Sequence, residues 1–151
     1  MEKNAIRHIW TVLCKNTITD KDSNNLSINN VVEQIKVSRK QNIPAPKREI
    51  LKNLRIPIQL ELITLWSRED SEGRNVDAKM QILDPQGKVL LNQQYHLAFE
   101  KGKKRLRFRM RMDGIIVSIS GEYLFVISTK EGGEKNYQDR VQIPVDIKIT
   151  E

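Results

Sequence analysis

The sequence predicts an all-β, two-layer antiparallel β-sandwich of about eight strands, and three observations carry that expectation. Apolar and polar residues alternate with a period of two along most of the chain, so each segment has one greasy face and one wet face. Turn signals punctuate these segments at short intervals, among them Asp84-Pro85-Gln86-Gly87, Asp113-Gly114 and Glu131-Gly132-Gly133-Glu134. No segment holds a helical period for long. Two stacked sheets are then the architecture that buries one face of every strand. A chain of 151 residues suits one sandwich domain over 1–151, with no repeat or linker to divide it. Because only 5% of residues are aromatic, the core is expected to be mostly Ile, Val and Leu.

The elements follow in order. Ile6, His8, Trp10, Val12 and Cys14 alternate with Arg7, Ile9, Thr11 and Leu13, an opening strand apolar on most of both faces. Polar residues 17–25 turn the chain. Leu26-Ser27-Ile28 begins a second strand, and Asn29-Asn30 shifts its phase before Val31, Val32 and Ile35, as a β-bulge does. Residues 36–54 are the least strand-like. Pro44 and Pro46 mark an irregular crossing, and Pro46 is placed to open one short helix near 46–54, with Ile50, Leu51 and Leu54 on one side.

Strand patterning then resumes. Ile56, Ile58, Leu60, Leu62 and Trp66 share a face opposite Gln59 and Glu61, and residues 67–75 read as a polar loop. Val76, Ala78, Met80 and Ile82 alternate with Asp77, Lys79 and Gln81. After the Asp84 turn, the returning strand sends Val89, Leu91, Tyr95, Leu97 and Phe99 inward. Glu100-Lys101-Gly102-Lys103 is a tight turn into the next strand. Ile115, Val117 and Ile119 follow Asp113-Gly114, and Gly121 kinks the chain before Tyr123, Phe125 and Ile127. Val141, Ile143, Val145, Ile147 and Ile149 complete the series.

Four landmarks together resemble small bacterial single-domain β-sandwich proteins of unknown function: Val12-Leu13-Cys14, Leu26-Ser27-Ile28-Asn29-Asn30-Val31-Val32, Leu83-Asp84-Pro85-Gln86-Gly87-Lys88 and Gly121-Glu122-Tyr123-Leu124-Phe125-Val126. They span most of the chain. The resemblance implies the fold alone and transfers no activity and no site residue.

The residues offer little chemistry. Cys14, His8 and His96 are the only soft or imidazole ligands, and on one strand His8 and Cys14 lie roughly 20 Å apart, too far to share a metal. Cys14 reads as a small buried hydrophobe. There is no Gly-x-Ser-x-Gly elbow, and nothing in the spacing pairs Glu61, Asp77, Asp84 or Asp113. Gly132-Gly133 is flanked by acids that would repel a phosphate. We therefore expect no catalytic residue, metal or cofactor, with a small enzyme of unrecognised site as an alternative. No apolar run reaches the about 18–20 residues that span a bilayer, and the amino terminus lacks a signal-peptide core. With a single cysteine as well, a cytoplasmic location without membrane partners is expected.

One feature remains. From Lys103, cations occupy every second position, Lys103, Arg105, Arg107, Arg109 and Arg111, with Leu106, Phe108, Met110 and Met112 between them. Residues 100–113 hold seven Lys or Arg against Glu100 and Asp113, a net of +5; the whole chain is +7, so the other 137 residues carry +2. Such a strand is apolar inside and cationic outside, and its arginine forks suit carboxylates or phosphates. The bland account is that charge on an exposed strand blocks edge-to-edge pairing. The functional one is a binding or accessory module that meets an acidic protein, or a second copy of the chain, through this strand. Sequence-independent contact with a nucleic-acid backbone is the alternative; five phosphate contacts would set a salt slope of about −4.5. The neighbouring strand, which precedes it, is not expected to neutralise the row, since its outward positions 90, 92, 94, 96 and 98 are Leu, Asn, Gln, His and Ala, and the charge is left available.

Overall fold

The computed structural model describes residues 6–38 and 54–150, and these form eleven strands with no helix. They are β1 Ile6–Thr19, β2 Leu26–Val31, β3 Gln34–Ser38, β4 Leu54–Ile56, β5 Leu60–Arg68, β6 Arg74–Leu83, β7 Val89–Phe99, β8 Arg105–Met112, β9 Ile115–Val117, β10 Gly121–Lys130 and β11 Gln138–Thr150. One sheet runs β2-β1-β5-β8 and the other β3-β11-β10-β6-β7, with a separate β4-β9 ribbon. All pairings are antiparallel except β3 on β11. The short helix expected near 46–54 lies outside the described residues, apart from Leu54, which opens β4.

The period-two pattern explains the core. Leu60, Leu62 and Trp66 of β5 face Met80 and Ile82 of β6, Tyr123, Phe125 and Ile127 of β10, and Val145 and Ile147 of β11 in one buried cluster. Each fully buried side chain of this size contributes about 1.5–3 kcal/mol relative to exposure. The strand count exceeds expectation because short pieces such as β3, β4 and β9 pair independently. The phase shift at Asn29-Asn30 proves to be a corner. Asn30 takes φ 55, and the chain leaves β2 in one sheet to enter β3 in the other.

Two turns behave as the sequence predicts. Gly87 N donates to Asp84 O at 2.9 Å, and Asp84 Oδ1 accepts from Gln86 N and Lys88 N at 2.9 and 2.8 Å. The Tyr123 hydroxyl donates to Ile119 O at 2.6 Å and accepts from Ser118 N at 2.9 Å, so it ties down the bend between β9 and β10. Val89, expected inside, is 46% exposed, because the β6–β7 register shifts between Ile82 and Leu83.

Candidate anion-binding surface

Strand β8 carries the cationic row at the end of its sheet, where among the described residues it pairs only with β5. The register sets Arg105 opposite Ser67, Arg107 opposite Leu65, Arg109 opposite Ile63 and Arg111 opposite Glu61. Residues directly opposite share a face, so all four arginines lie on the side away from Leu62, Thr64 and Trp66. That matches the alternation. Lys103 differs: it precedes the strand, in a turn closed by Lys103 N donating to Glu100 O at 3.0 Å. The hairpin with β7 does not form. The turn delivers β8 to the opposite sheet, and the Tyr95 and Phe108 rings stack at 4.5 Å between the two strands.

The change of neighbour decides the electrostatics. Glu61 is only 3% exposed on the outer side of β5. Its Oε1 lies 3.2 Å from Arg111 Nε and its Oε2 lies 3.6 Å from Arg109 Nε. Thr17 Oγ1 donates to Oε2 at 2.7 Å. The β1–β2 hairpin laps over this region: Arg109 Nη2 donates to Thr19 Oγ1 at 3.3 Å, and Arg107 Nη2 to Asn24 O at 3.1 Å. Beneath it, Ile63 and Cys14 are fully buried. Burial, then the Glu61 charge, pushes the Cys14 thiol up from its ordinary value, so it stays protonated at neutral pH. The single Glu61 carboxylate thus offsets one of the two charges in the carboxy-terminal half of the row. Among the described residues, no acid pairs with Lys103, Lys104, Arg105 or Arg107.

The row's amino-terminal half opens onto a cleft of about 500 Å³ lined by Arg7, His8, Ile9, Ser67, Arg68, Lys104 and Arg105. No acid lines it. Arg7 pairs with Ser67 across β1–β5, and Ser67 with Arg105 across β5–β8, so two arginines flank one serine on a single rung. Sequence reasoning singled out neither Arg7 nor Arg68, and placed Arg68 in a loop. It instead ends β5 with a fully buried side chain. Arg68 Nε donates to Lys103 O and Nη2 to Glu100 O, both at 2.8 Å, and Nη1 donates to Glu72 O. Its guanidinium stands 4.8 Å over the Phe99 ring. These bonds hold the turn that presents Lys104 and Arg105.

His8 forms one wall. Its Nε2 sits 2.6 Å from Thr11 Oγ1 and its ring meets Trp66 edge-on at 5.3 Å. Burial, and secondarily the Arg140 charge, lowers its pKa from the usual 6.5, so the imidazole is neutral at pH 7. The unfolded chain therefore binds a proton that the folded one resists. Stability should fall as pH drops from 6.5 through the lower folded-state value. His8→Gln should flatten that decline. Urea midpoints between about pH 7.5 and 5.5 measure it, and parallel curves for the two proteins would refute this role.

A second cleft, about 510 Å³, lies beside Asp77, Gln94, Tyr95, His96, Lys130 and Tyr137. There Asp77 Oδ1 meets His96 Nδ1 at 3.0 Å, so an acid already occupies it. Among the described residues no three His, Cys, Asp or Glu gather as metal ligands, and no helix is long and apolar enough to cross a membrane.

The architecture is similar to the crystal structure of the C-terminal domain of wzt, with a TM-score of 0.53 and 10% sequence identity over 99% of this chain and 75% of that one. At that identity the likeness establishes the shared sandwich fold alone. No protein-family model matches the chain, and no curated protein matches its sequence.

Proposed function

We propose that this domain is a non-catalytic binding module that takes an acidic, extended polypeptide segment along the free edge of β8. The observation that carries this reading is the terminal position of β8 among the described strands, with no acid among the described residues paired to Lys103, Arg105 or Arg107. An edge strand offers a row of unmatched N–H and C=O groups, and an added strand satisfies them while its alternate side chains meet those of the host. Glutamates or aspartates in such a segment would stand opposite the arginines on each outer rung. Two copies of β8 paired edge to edge would set arginine against arginine. The same charges that deter self-pairing therefore favour an acidic strand.

A nucleic-acid backbone is the second reading. Phe108 stacks inward on Tyr95, so β8 itself carries no outward aromatic for base stacking, and Trp10, opposite Leu65 on the rung of Arg107, is the ring that β1 brings to this face. With Arg109 and Arg111 held by Glu61, three free cations would give a salt slope of about −2.7.

Fluorescence anisotropy with a labelled decapeptide of alternating Glu and Val tests the proposal. Lys103→Glu with Arg105→Glu should weaken binding about tenfold or more at low salt. Glu61→Gln, which frees Arg109 and Arg111, should tighten it. Equal binding by the charge-reversed and native chains, or binding of labelled single-stranded DNA with no binding of the peptide, would overturn it.

A further inference from the structure

We infer that the cleft at the start of β1 is an oxyanion site for a phosphate monoester, with Arg7 and Arg105 closing on the phosphoryl group from either side of Ser67. Three observations converge. Arg7, Ser67 and Arg105 occupy one outer rung of β1, β5 and β8. Adjacent strands lie about 4.8 Å apart, so the two arginine Cα atoms stand roughly 10 Å from each other with a short hydroxyl side chain between them. Long side chains flanking a short one make a trough, and both guanidinium groups are long enough to reach over its floor.

The charge of the walls has one sign. The lining residues include Arg7, Arg68, Lys104 and Arg105 and no carboxylate. Asp70, on the connection after β5, is engaged by Arg74 and lies 3.5 Å from Arg68. Among the described residues, Arg7, Lys104 and Arg105 have no acidic partner competing with a ligand.

Arg68 divides the labour. Its donors are committed to the carbonyl oxygens of Lys103, Glu100 and Glu72, so it is a positioning residue and not a ligand. Its charge, buried in the wall and offset in part by Asp70 at 3.5 Å, adds modestly to the local field. The donors left for a ligand are two guanidinium forks, one ammonium and the Ser67 hydroxyl. A carboxylate has two oxygens and is satisfied by a single fork. A phosphate monoester has three terminal oxygens and nearly two negative charges at neutral pH, which match two forks and a hydroxyl.

This site shares Arg105 with the peptide edge but is told apart from it at Arg7 and Ser67, which lie on β1 and β5, away from the outer edge of β8. Calorimetric titration of the whole chain at low salt with inorganic phosphate, then with acetate at equal ionic strength, tests it. Phosphate is expected to bind at least about tenfold more tightly than acetate and to shift the ring resonances of His8. Arg7→Gln, an exposed substitution that should leave the fold intact, is expected to reduce phosphate affinity about tenfold while leaving decapeptide binding unchanged. Free phosphomonoesters and phosphate carried on a peptide are told apart by repeating the titration with glycerol phosphate and with a phosphoserine tripeptide. Undiminished phosphate binding in Arg7→Gln, or equal affinities for phosphate and acetate, would overturn the inference without touching the edge-docking proposal.

Discussion

Gly121→Ala is expected to destabilise the fold by about 2–4 kcal/mol, from a strained backbone and a steric clash acting together. Gly121 opens β10 at φ 148, a conformation that side-chain-bearing residues rarely adopt. A Cβ there would sit 2.7 Å from Pro85 Cγ and 2.9 Å from Pro85 Cβ. Pro85 has little freedom to retreat, since both sides of its turn are bonded to the buried Asp84. Nor does β10 slide, because the Tyr123 hydroxyl anchors the preceding bend at Ile119 O. Urea denaturation measures the loss. Pro85→Ala in the same chain removes the Cγ contact and should return part of it, so a double-mutant cycle separates clash from strain. An unchanged midpoint for the single variant would show that the Asp84 turn yields freely.

The contrast between Gly121 and Glu61 shows what the chain discloses about itself. Turn chemistry and the sidedness of strands are local, so Asp84-Pro85-Gln86-Gly87, Tyr123, Phe125 and Ile127 were legible from a few neighbouring residues. The partner of β8 was not. Alternation places the arginines on one face but says nothing about which strand lies beside it, and a tight turn at 100–103 reads as a hairpin whether or not the next strand stays in the sheet. The pairing with β5 brought Glu61 to Arg109 and Arg111, engaging two of the five cations and offsetting one charge. A signal existed. Ile63 and Leu65 are apolar at outward positions of β5, and β1 is apolar on both faces. Such residues need cover, and the β1–β2 hairpin supplies it, leaving Ile63 fully buried. Arg68 escaped notice for another reason. In sequence it is one more polar residue before a loop, and its burial follows from carbonyls 32 and 35 residues away.

Arg68→Met is expected to cost about 3–5 kcal/mol, because it removes a fully buried charge-assisted donor set while roughly keeping the volume of the stem. Three carbonyl oxygens, on Lys103, Glu100 and Glu72, each lose a donor, Glu100 O keeping the one from Lys103 N, and Phe99 loses the cation above its ring. Arg68→Lys should recover only part of this, since an ammonium keeps the charge without the planar fork that reaches three separate carbonyls. The effect should be local before it is global. Gly102 N donates to Ser71 O at 2.8 Å, a bond that joins the turn before β8 to the loop after β5 and depends on Arg68 holding both in place. Hydrogen exchange at the Gly102 amide should therefore quicken in Arg68→Met under conditions where amides of β10 remain protected. Lys104 and Arg105 would then be carried on a looser segment, and phosphate affinity should fall although neither residue has been altered. Unchanged stability with unchanged Gly102 exchange would mean that water replaces the guanidinium at no cost, and Arg68 would lose its place as the support of the cationic cleft.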